Sequence, residues 1–313
     1  MNILITGGSG FVGRNLINHL SSRRDINISY CDNEGFSHAI NSTGANKARK
    51  ITEEISELRL HHLHSIDVLI HLAAIKKHNL STDEDLTPLY NTNFYETNRV
   101  LQLAASAGVR QLVFSSSLYA HGSMKMLKAQ ESDYPKPQTL YGSSKLFGEN
   151  VLNEIAQHFP IDCTALRLYF IYGPWQYSGK GYPSVFIKSM ERMSSGLNPI
   201  IVNDGSQVLD YLHVEDLCKL IEKVIDKPSI GFKIANACSG EGVSIKFVVD
   251  SLAKLWNERY GTSFSAEYCG RDFTDGSYRS GARELAYKYW GWVPSKPYQT
   301  GLQELIEWYA NNR

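Results

Sequence analysis

Over the first two-thirds of the chain, short apolar runs alternate with patterns of helical period. The runs at Asn2–Thr6, Ile28–Cys31, Asp67–Leu72, Gln111–Ser115 and Thr164–Tyr169 read as strands. Between them, helices are expected at Phe11–Ser21, about Glu53–His62, Asp85–Ala107 and Leu140–Phe159. Near-continuous apolarity in a strand means burial on both faces. The pattern therefore predicts the α/β class, with a doubly wound parallel sheet covered by helices on either side. Ser37–Lys50 is polar and reads as a surface loop. After Gly173-Pro174 the rhythm changes to a polar loop at Trp175–Pro183, a helix, and then mixed short strands and helices. This predicts a first domain at 1–173 and a smaller C-terminal α/β lobe at 174–313, with interleaving segments.

Composition narrows the class. Of 313 residues, 42% are hydrophobic and 20% charged, as in ordinary globular proteins. Lysine plus arginine equals aspartate plus glutamate at 32 each, so no bulk field favours nucleic acid or an anionic membrane. No apolar run approaches the ~18 residues of a membrane span. The opening MNILITGGSG meets glycine too early for a secretory apolar region of ~7 residues. The five cysteines, Cys31, Cys163, Cys218, Cys238 and Cys269, are odd in number and lack C-x-x-C spacing. That argues against a disulfide framework or zinc site and for a reducing compartment. A soluble cytoplasmic protein is expected, with no membrane or nucleic-acid partner.

Chemistry enters at the end of the first strand, which runs into Gly7-Gly8-Ser9-Gly10-Phe11-Val12-Gly13 and then a helix. Glycines there let the backbone turn tightly and approach a pyrophosphate resting on the N–H groups of the helix N-terminus. Strand, loop and helix in that order make this a Rossmann dinucleotide site. The second strand ends in Asp32, 19 residues beyond Gly13. A carboxylate there accepts from the ribose hydroxyls and repels a 2′-phosphate, which favours NAD. The alternatives are a plain turn aspartate at 32, and Arg14 meeting a 2′-phosphate.

Tyr141 and Lys145 lie in YGSSK at the start of a predicted helix, and their i, i+4 spacing puts both on one face. An ammonium beside a phenol lowers the tyrosine pKa from its reference of ~10. Tyr141 then serves as acid and base for an alcohol or sugar hydroxyl. Ser115-Ser116-Ser117 closes the fourth strand, at the carboxyl edge where such sheets bind ligands. A Y-x-x-x-K pair alone is usually a solvated helix face. Behind a dinucleotide loop and a strand-end serine it reads as a catalytic set of Ser117, Tyr141 and Lys145.

With these residues the chain resembles the extended short-chain dehydrogenase/reductase family, the NAD-dependent epimerases and dehydratases, and most of all its UDP-galactose 4-epimerase-like nucleotide-sugar epimerases. The resemblance runs through TGGSGFVG (Thr6–Gly13), CDN (Cys31–Asn33), IHLAAIK (Ile70–Lys76) and NTNFYET (Asn91–Thr97). It continues through FSSSLYAHG (Phe114–Gly122), YGSSK, RLYFIYGP (Arg167–Pro174), DGSQVLDYLHVEDL (Asp204–Leu217) and WGWVP (Trp290–Pro294). It implies that Ser117 is the catalytic serine, Tyr141 the acid/base and Lys145 the ligand of the nicotinamide ribose. Gly7, Gly10, Phe11, Val12, Gly13, Asp32, Asn33, Ala73, Ala74, Lys76 and Asn93 would contact NAD. A helix-internal hydrogen bonder at Asn93 and a solvated charge at Lys76 are the plainer readings. His121, Phe170, Leu209 and Arg271 would meet the substrate, with His121 alternatively structural. A homodimer is implied through the helices Asp85–Ala107 and Leu140–Phe159, which carry Leu101, Leu103, Leu146, Val151 and Ile155.

Departures from the family pattern bear on substrate. The acidic residue that usually meets the adenine is not evident, Lys50-Ile51 falling about there. An asparagine usual in R-x-x-N-V-Y-G-P is Phe170, and the arginine of Q-x-R-D, which grips a pyrophosphate, is Leu209. Arg271 and Asp275 fall one residue off the family's later R-x-x-D, and Lys180 and Arg192 are further candidate cations. After Ser117 come Leu118-Tyr119, where dehydratases carry Asp-Glu and decarboxylases a glutamate, and no catalytic cysteine follows. What remains is oxidation and reduction of a single carbinol. The expected function is NAD-dependent C4 epimerisation of a nucleotide sugar, one that is modified or deoxygenated. The alternatives are an NAD(P)H-dependent 4-keto-sugar reductase and, in another class, a catalytically degenerate cofactor-sensing binding protein. His78 and His121 have no second ligand at helical or hairpin spacing, so no metal site is expected.

Overall fold

The computed structural model describes residues 1–33, 48–76, 86–122, 128–176, 184–270 and 277–312. In chain order, β1 (Asn2–Thr6), α1 (Phe11–Leu20), β2 (Asn27–Cys31) and β3 (Ala48–Thr52) come first. Next are α2 (Leu60–Leu63), β4 (Val68–His71), α3 (Thr87–Tyr90), α4 (Thr97–Ser106), β5 (Gln111–Ser117), α5 (Leu140–His158) and β6 (Asp162–Leu168). The remainder holds β7 (Phe170–Tyr172), α6 (Val185–Ser194), β8 (Ile200–Val202), β9 (Val208–His213), α7 (Val214–Asp226) and β10 (Gly231–Ala237). It ends with β11 (Gly242–Ser244), α8 (Ile245–Tyr260), β12 (Glu267–Cys269), β13 (Tyr278–Arg279), α9 (Glu284–Trp290) and α10 (Tyr298–Asn311).

Seven strands form the main sheet in the order β10-β6-β5-β4-β1-β2-β3, and every pairing in it is parallel. The apolar runs predicted this: every residue of β4 and β5 is buried, because helices cover both faces. Leu16, Ile17 and Leu20 of α1 and Leu217, Leu220 and Ile221 of α7 pack on one face around Ile3 and Ile5. Leu101 of α4 and Val151, Leu152 and Ile155 of α5 pack on the other around Leu4, Leu69 and Leu112. Strand order reverses between β1 and β4, so a crevice opens above their carboxyl ends, where such sheets take ligands.

A smaller sheet holds β11, β9 and β13, with β7 also paired to β9. It rests on an aromatic core of Tyr172, Phe186, Tyr211, Trp256 and Tyr309. The chain does not switch cleanly at 173: β10, from the C-terminal half, completes the main sheet beside β6, and α7 packs on α1. Three elements differ from the sequence expectation. Residues 48–50, expected in a loop, begin β3, an edge strand with no fully buried residue and hence no apolar signature. The helix expected near Glu53–His62 is a 3-10 turn at Ile55–Glu57 followed by the short α2. Fully buried Leu58 turns the chain inward between them. The helix expected over Asp85–Ala107 is α3 and α4 joined by a π-helical turn at Asn91–Glu96.

Candidate active site

The glycine loop is shaped for close backbone contact. Gly7 adopts φ +72°, which a side chain disfavours, and a Cβ there would lie 2.8 Å from the Ala73 nitrogen. A Cβ on Gly13 would come within 2.3 Å of the Gly7 carbonyl oxygen, so α1 can start this close to the loop only with glycine. Gly10 is the N-cap of α1 and, having no side chain, leaves the first-turn N–H groups without a side-chain acceptor. These are the donors a dinucleotide pyrophosphate takes up, so the residues present fit the cofactor. Phe11 and Val12 begin the helix, packed half-buried on the core.

Asp32, just past β2, reaches back so that Oδ2 accepts the Ser9 N–H at 2.8 Å, tying the acidic strand end to the glycine loop. Asn33 beside it is exposed. Arg14 is buried; its Nε donates to the Ser9 carbonyl and its guanidinium lies 5.9 Å from the Trp175 ring centre. Ala73 is half-buried against Gly7, while Ala74 and Lys76 are exposed on the segment after β4. Asn93 is more than a helix-internal residue. From the π-helical turn its Oδ1 accepts the Ile75 N–H at 2.8 Å, and its Nδ2 donates to the Ile75 carbonyl at 2.8 Å and to Ser144 Oγ at 3.2 Å. It thereby clamps the segment carrying Ala73, Ala74 and Lys76 onto α5. A π-turn at a functional edge is a common use of that irregularity.

The predicted catalytic residues converge at the carboxyl end of β5. Ser117 ends the strand and caps the following turn, its Oγ accepting the Tyr119 N–H at 3.3 Å. Thr139 caps α5 through the Gly142 N–H, which brings Tyr141 and Lys145 onto the side facing β5. Tyr141 is hydrogen-bonded to Ser117, which favours its phenolate, but desolvation outweighs this and pushes the phenol above its ordinary 10.0. The expectation that the Lys145 ammonium lowers the Tyr141 pKa is thus corrected. The Lys145 ammonium is buried, donates to the Ser115 carbonyl at 2.7 Å and lies 5.6 Å from the Tyr141 ring centre. Burial pushes it down to about 7, opposed by the Glu149 carboxylate.

Behind β5 lies a buried polar network that sequence reasoning did not find. Ser116 Oγ donates to Glu149 Oε1 at 2.5 Å, and Arg167 grips Glu149 through Nε and Nη2, both at 2.8 Å. His121 belongs to this network. Its Nε2 meets Asn236 Oδ1 at 3.0 Å, Arg167 Nη1 lies 3.1 Å from its Nδ1, and the residue is 5% exposed. Burial and the Arg167 charge push it down to about 4, so it is neutral and structural, and the expectation of a substrate contact is corrected. A helix-period glutamate eight residues after Tyr141 was the available signal, and it resembles any solvated i+4 position.

Phe170 and Leu209 lie on adjacent strands of the small sheet, both half-buried. Arg271, Lys180, Asp275 and His78 fall outside the described residues. Arg192 is committed to the Asn198 carbonyl at 2.6 Å.

Comparisons with known proteins agree with this geometry. The profile of the NAD-dependent epimerase/dehydratase family matches residues 3–238. The chain belongs to that family of extended short-chain dehydrogenases/reductases, and NAD is its cofactor. A UDP-glucose 4-epimerase of Erwinia amylovora is 28% identical, covering 100% of this chain and 98% of the relative. An uncharacterized UDP-glucose epimerase of Bacillus subtilis is 25% identical over 99% of this chain and 98% of its own. Among solved structures, a UDP-glucose 4-epimerase of Thermotoga maritima superposes with TM-score 0.84 at 26% identity, covering 99% of each chain.

Proposed function

We propose that this member of the NAD-dependent epimerase/dehydratase family is a nucleotide-sugar 4-epimerase whose substrate presents an apolar, modified or deoxygenated edge. One observation carries the reading. Ser117, Tyr141 and Lys145 meet at the carboxyl edge of β5, while the neighbours of Ser117 are Leu118 and Tyr119, with no carboxylate to drive elimination. Such a site can oxidise and re-reduce one carbinol and nothing more elaborate. When bound at the glycine loop and beside Lys145, NAD would supply the hydride acceptor and donor for the sugar carbinol. Ser117 orients the sugar hydroxyl, and Tyr141 takes its proton and later gives it back from the same oxygen. Lys145, 5.6 Å from the Tyr141 ring centre, offers N–H donors to the nicotinamide ribose. Phe170, half-buried and packed against Leu118 and Tyr169 just past Ser117, supplies the apolar surface that supports the modified-sugar reading.

The test is epimer formation followed by NMR, with enzyme as purified and no added cofactor, on UDP-glucose, UDP-galactose and their 6-deoxy counterparts. Turnover without net NADH consumption is expected, faster on the deoxy sugars. Tyr141→Phe should slow it ~10²-fold or more with cofactor retention unchanged. Stoichiometric NADH oxidation would instead make the protein a reductase, and efficient UDP-galactose turnover would remove the modified-sugar part.

A further inference from the structure

A guanidinium of the small sheet stands near the catalytic residues, where no motif placed one. Arg279 lies on β13 in register with Leu209 of β9. Residues in register on neighbouring strands project from the same face, as do residues two apart along one strand. Tyr211 therefore shares the face of Leu209, and β7 sets Phe170 in register beside it. Leu209, Tyr211 and Phe170 form an apolar strip, and Arg279 supplies charge next to it.

The side chain is aimed at the catalytic residues. Its Nη1 lies 3.5 Å from the Tyr119 hydroxyl, and its central carbon is 5.7 Å from the Tyr119 ring centre. Tyr119 in turn sets its ring edge-on to Tyr141, with centres 6.1 Å apart. One aromatic ring thus separates the guanidinium from the proton-carrying phenol. Arg279 is half-buried, and among the described residues no carboxylate lies within ion-pair distance of it. A partly desolvated guanidinium with five donors, whose hydrogen-bond partner among the described residues is a phenol at 3.5 Å, is suited to a multivalent anion. Planar bidentate donation matches phosphate oxygens in particular.

We propose that Arg279 grips the diphosphate of the substrate, supplying from β13 the cation that Leu209 does not supply from β9. The proposal rests on the nucleotide-sugar reading above. A charge at this position leaves the sugar end of the ligand to Phe170 and Tyr141.

The experiment is calorimetric titration of NAD-loaded protein with UDP, UMP and uridine, and with dTDP, GDP and CDP. Wild type should bind UDP best, and Arg279→Met should weaken UDP by ~10-fold or more, equivalent to about 1.4 kcal/mol. Uridine and NAD affinities should stay within twofold. Arg279→Gln, which keeps the stem and one donor amide, serves should the methionine variant fail to fold, and should show the same loss. Adding Leu209→Arg to the Arg279 variant should recover much of the UDP affinity, since the two positions are in register. Equal UDP affinity in wild type and the Arg279 variants would overturn the proposal while leaving the nucleotide-sugar reading intact. Wild type binding none of UDP, dTDP, GDP or CDP would overturn both.

Discussion

Lys145 illustrates how burial and function compete in one side chain. It is enclosed by the Phe114 ring at 4.8 Å, the Tyr141 ring and the Ser115 carbonyl, with His71 and Glu149 near enough to act on its charge or be acted on by it. Its ammonium titrates at about 7 in the folded protein against 10.5 when unconstrained. Between those values the unfolded chain holds a proton that the folded chain lacks, so stability rises with pH across that window. Below it, the folded state carries the whole cost of a buried charge. In cofactor-free protein, Lys145→Met should therefore raise the melting temperature most near pH ~6.5, with the gain shrinking towards pH ~9.5. Thermal melts at the two pH values check this, and a gain independent of pH would mean that the ammonium is not desolvated as described.

At the scale of elements, the carboxyl ends of β1 and β2 act as one unit. The Gly7 N–H is bonded to the Cys31 carbonyl at 2.9 Å, and Asp32 holds the Ser9 N–H, so the glycine loop and the end of β2 are positioned together. Removing the carboxylate should have two consequences: loss of a charge-assisted hydrogen bond to the loop, and loss of repulsion towards a 2′-phosphate. Asp32→Ala should weaken NAD by ~10-fold and narrow or reverse its preference over NADP. Paired titrations of NAD and NADP measure both. A wild type that already prefers NADP would shift the selectivity argument to Arg14, which is buried against Ser9 and Trp175.

Across the whole molecule, the expected homodimer needs a different basis from the residues that suggested it. Leu101, Val151 and Ile155 are buried in the core beneath the main sheet, so they are not available for a second chain. Tyr95 remains 64% exposed and Tyr90 49% exposed, on the helical segment beside α5. They flank Phe94, whose ring lies 5.6 Å from Tyr90 and 5.4 Å from Phe147. An aromatic strip of this kind on two adjacent helices is suited to an isologous contact. Light scattering at micromolar concentration should return twice the chain mass of 35.2 kDa, and Tyr95→Lys should move it towards one. A monomeric wild type would remove the proposal.

How much of this was legible in the chain depends on the range of the interaction involved. The glycine loop, Asp32, the strand-end serines and the Tyr141–Lys145 pair each obey a local rule: a turn that only glycine permits, or an i, i+4 face on one helix. Order along the chain was enough to find them, and burial on both faces was enough to read β1, β4 and β5. Tertiary structure decided the rest. β3 is an edge strand held by pairing with β2 rather than by apolar residues. β10 enters the main sheet from beyond residue 230 through its ladder with β6. His121 is structural because Asn236, 115 positions away, meets its ring. Arg279 comes beside Leu209 only through the β9–β13 ladder. Such pairings join residues far apart in the chain, and a hydrogen-bonded register between strands leaves no periodic mark on either segment from which the other could be found.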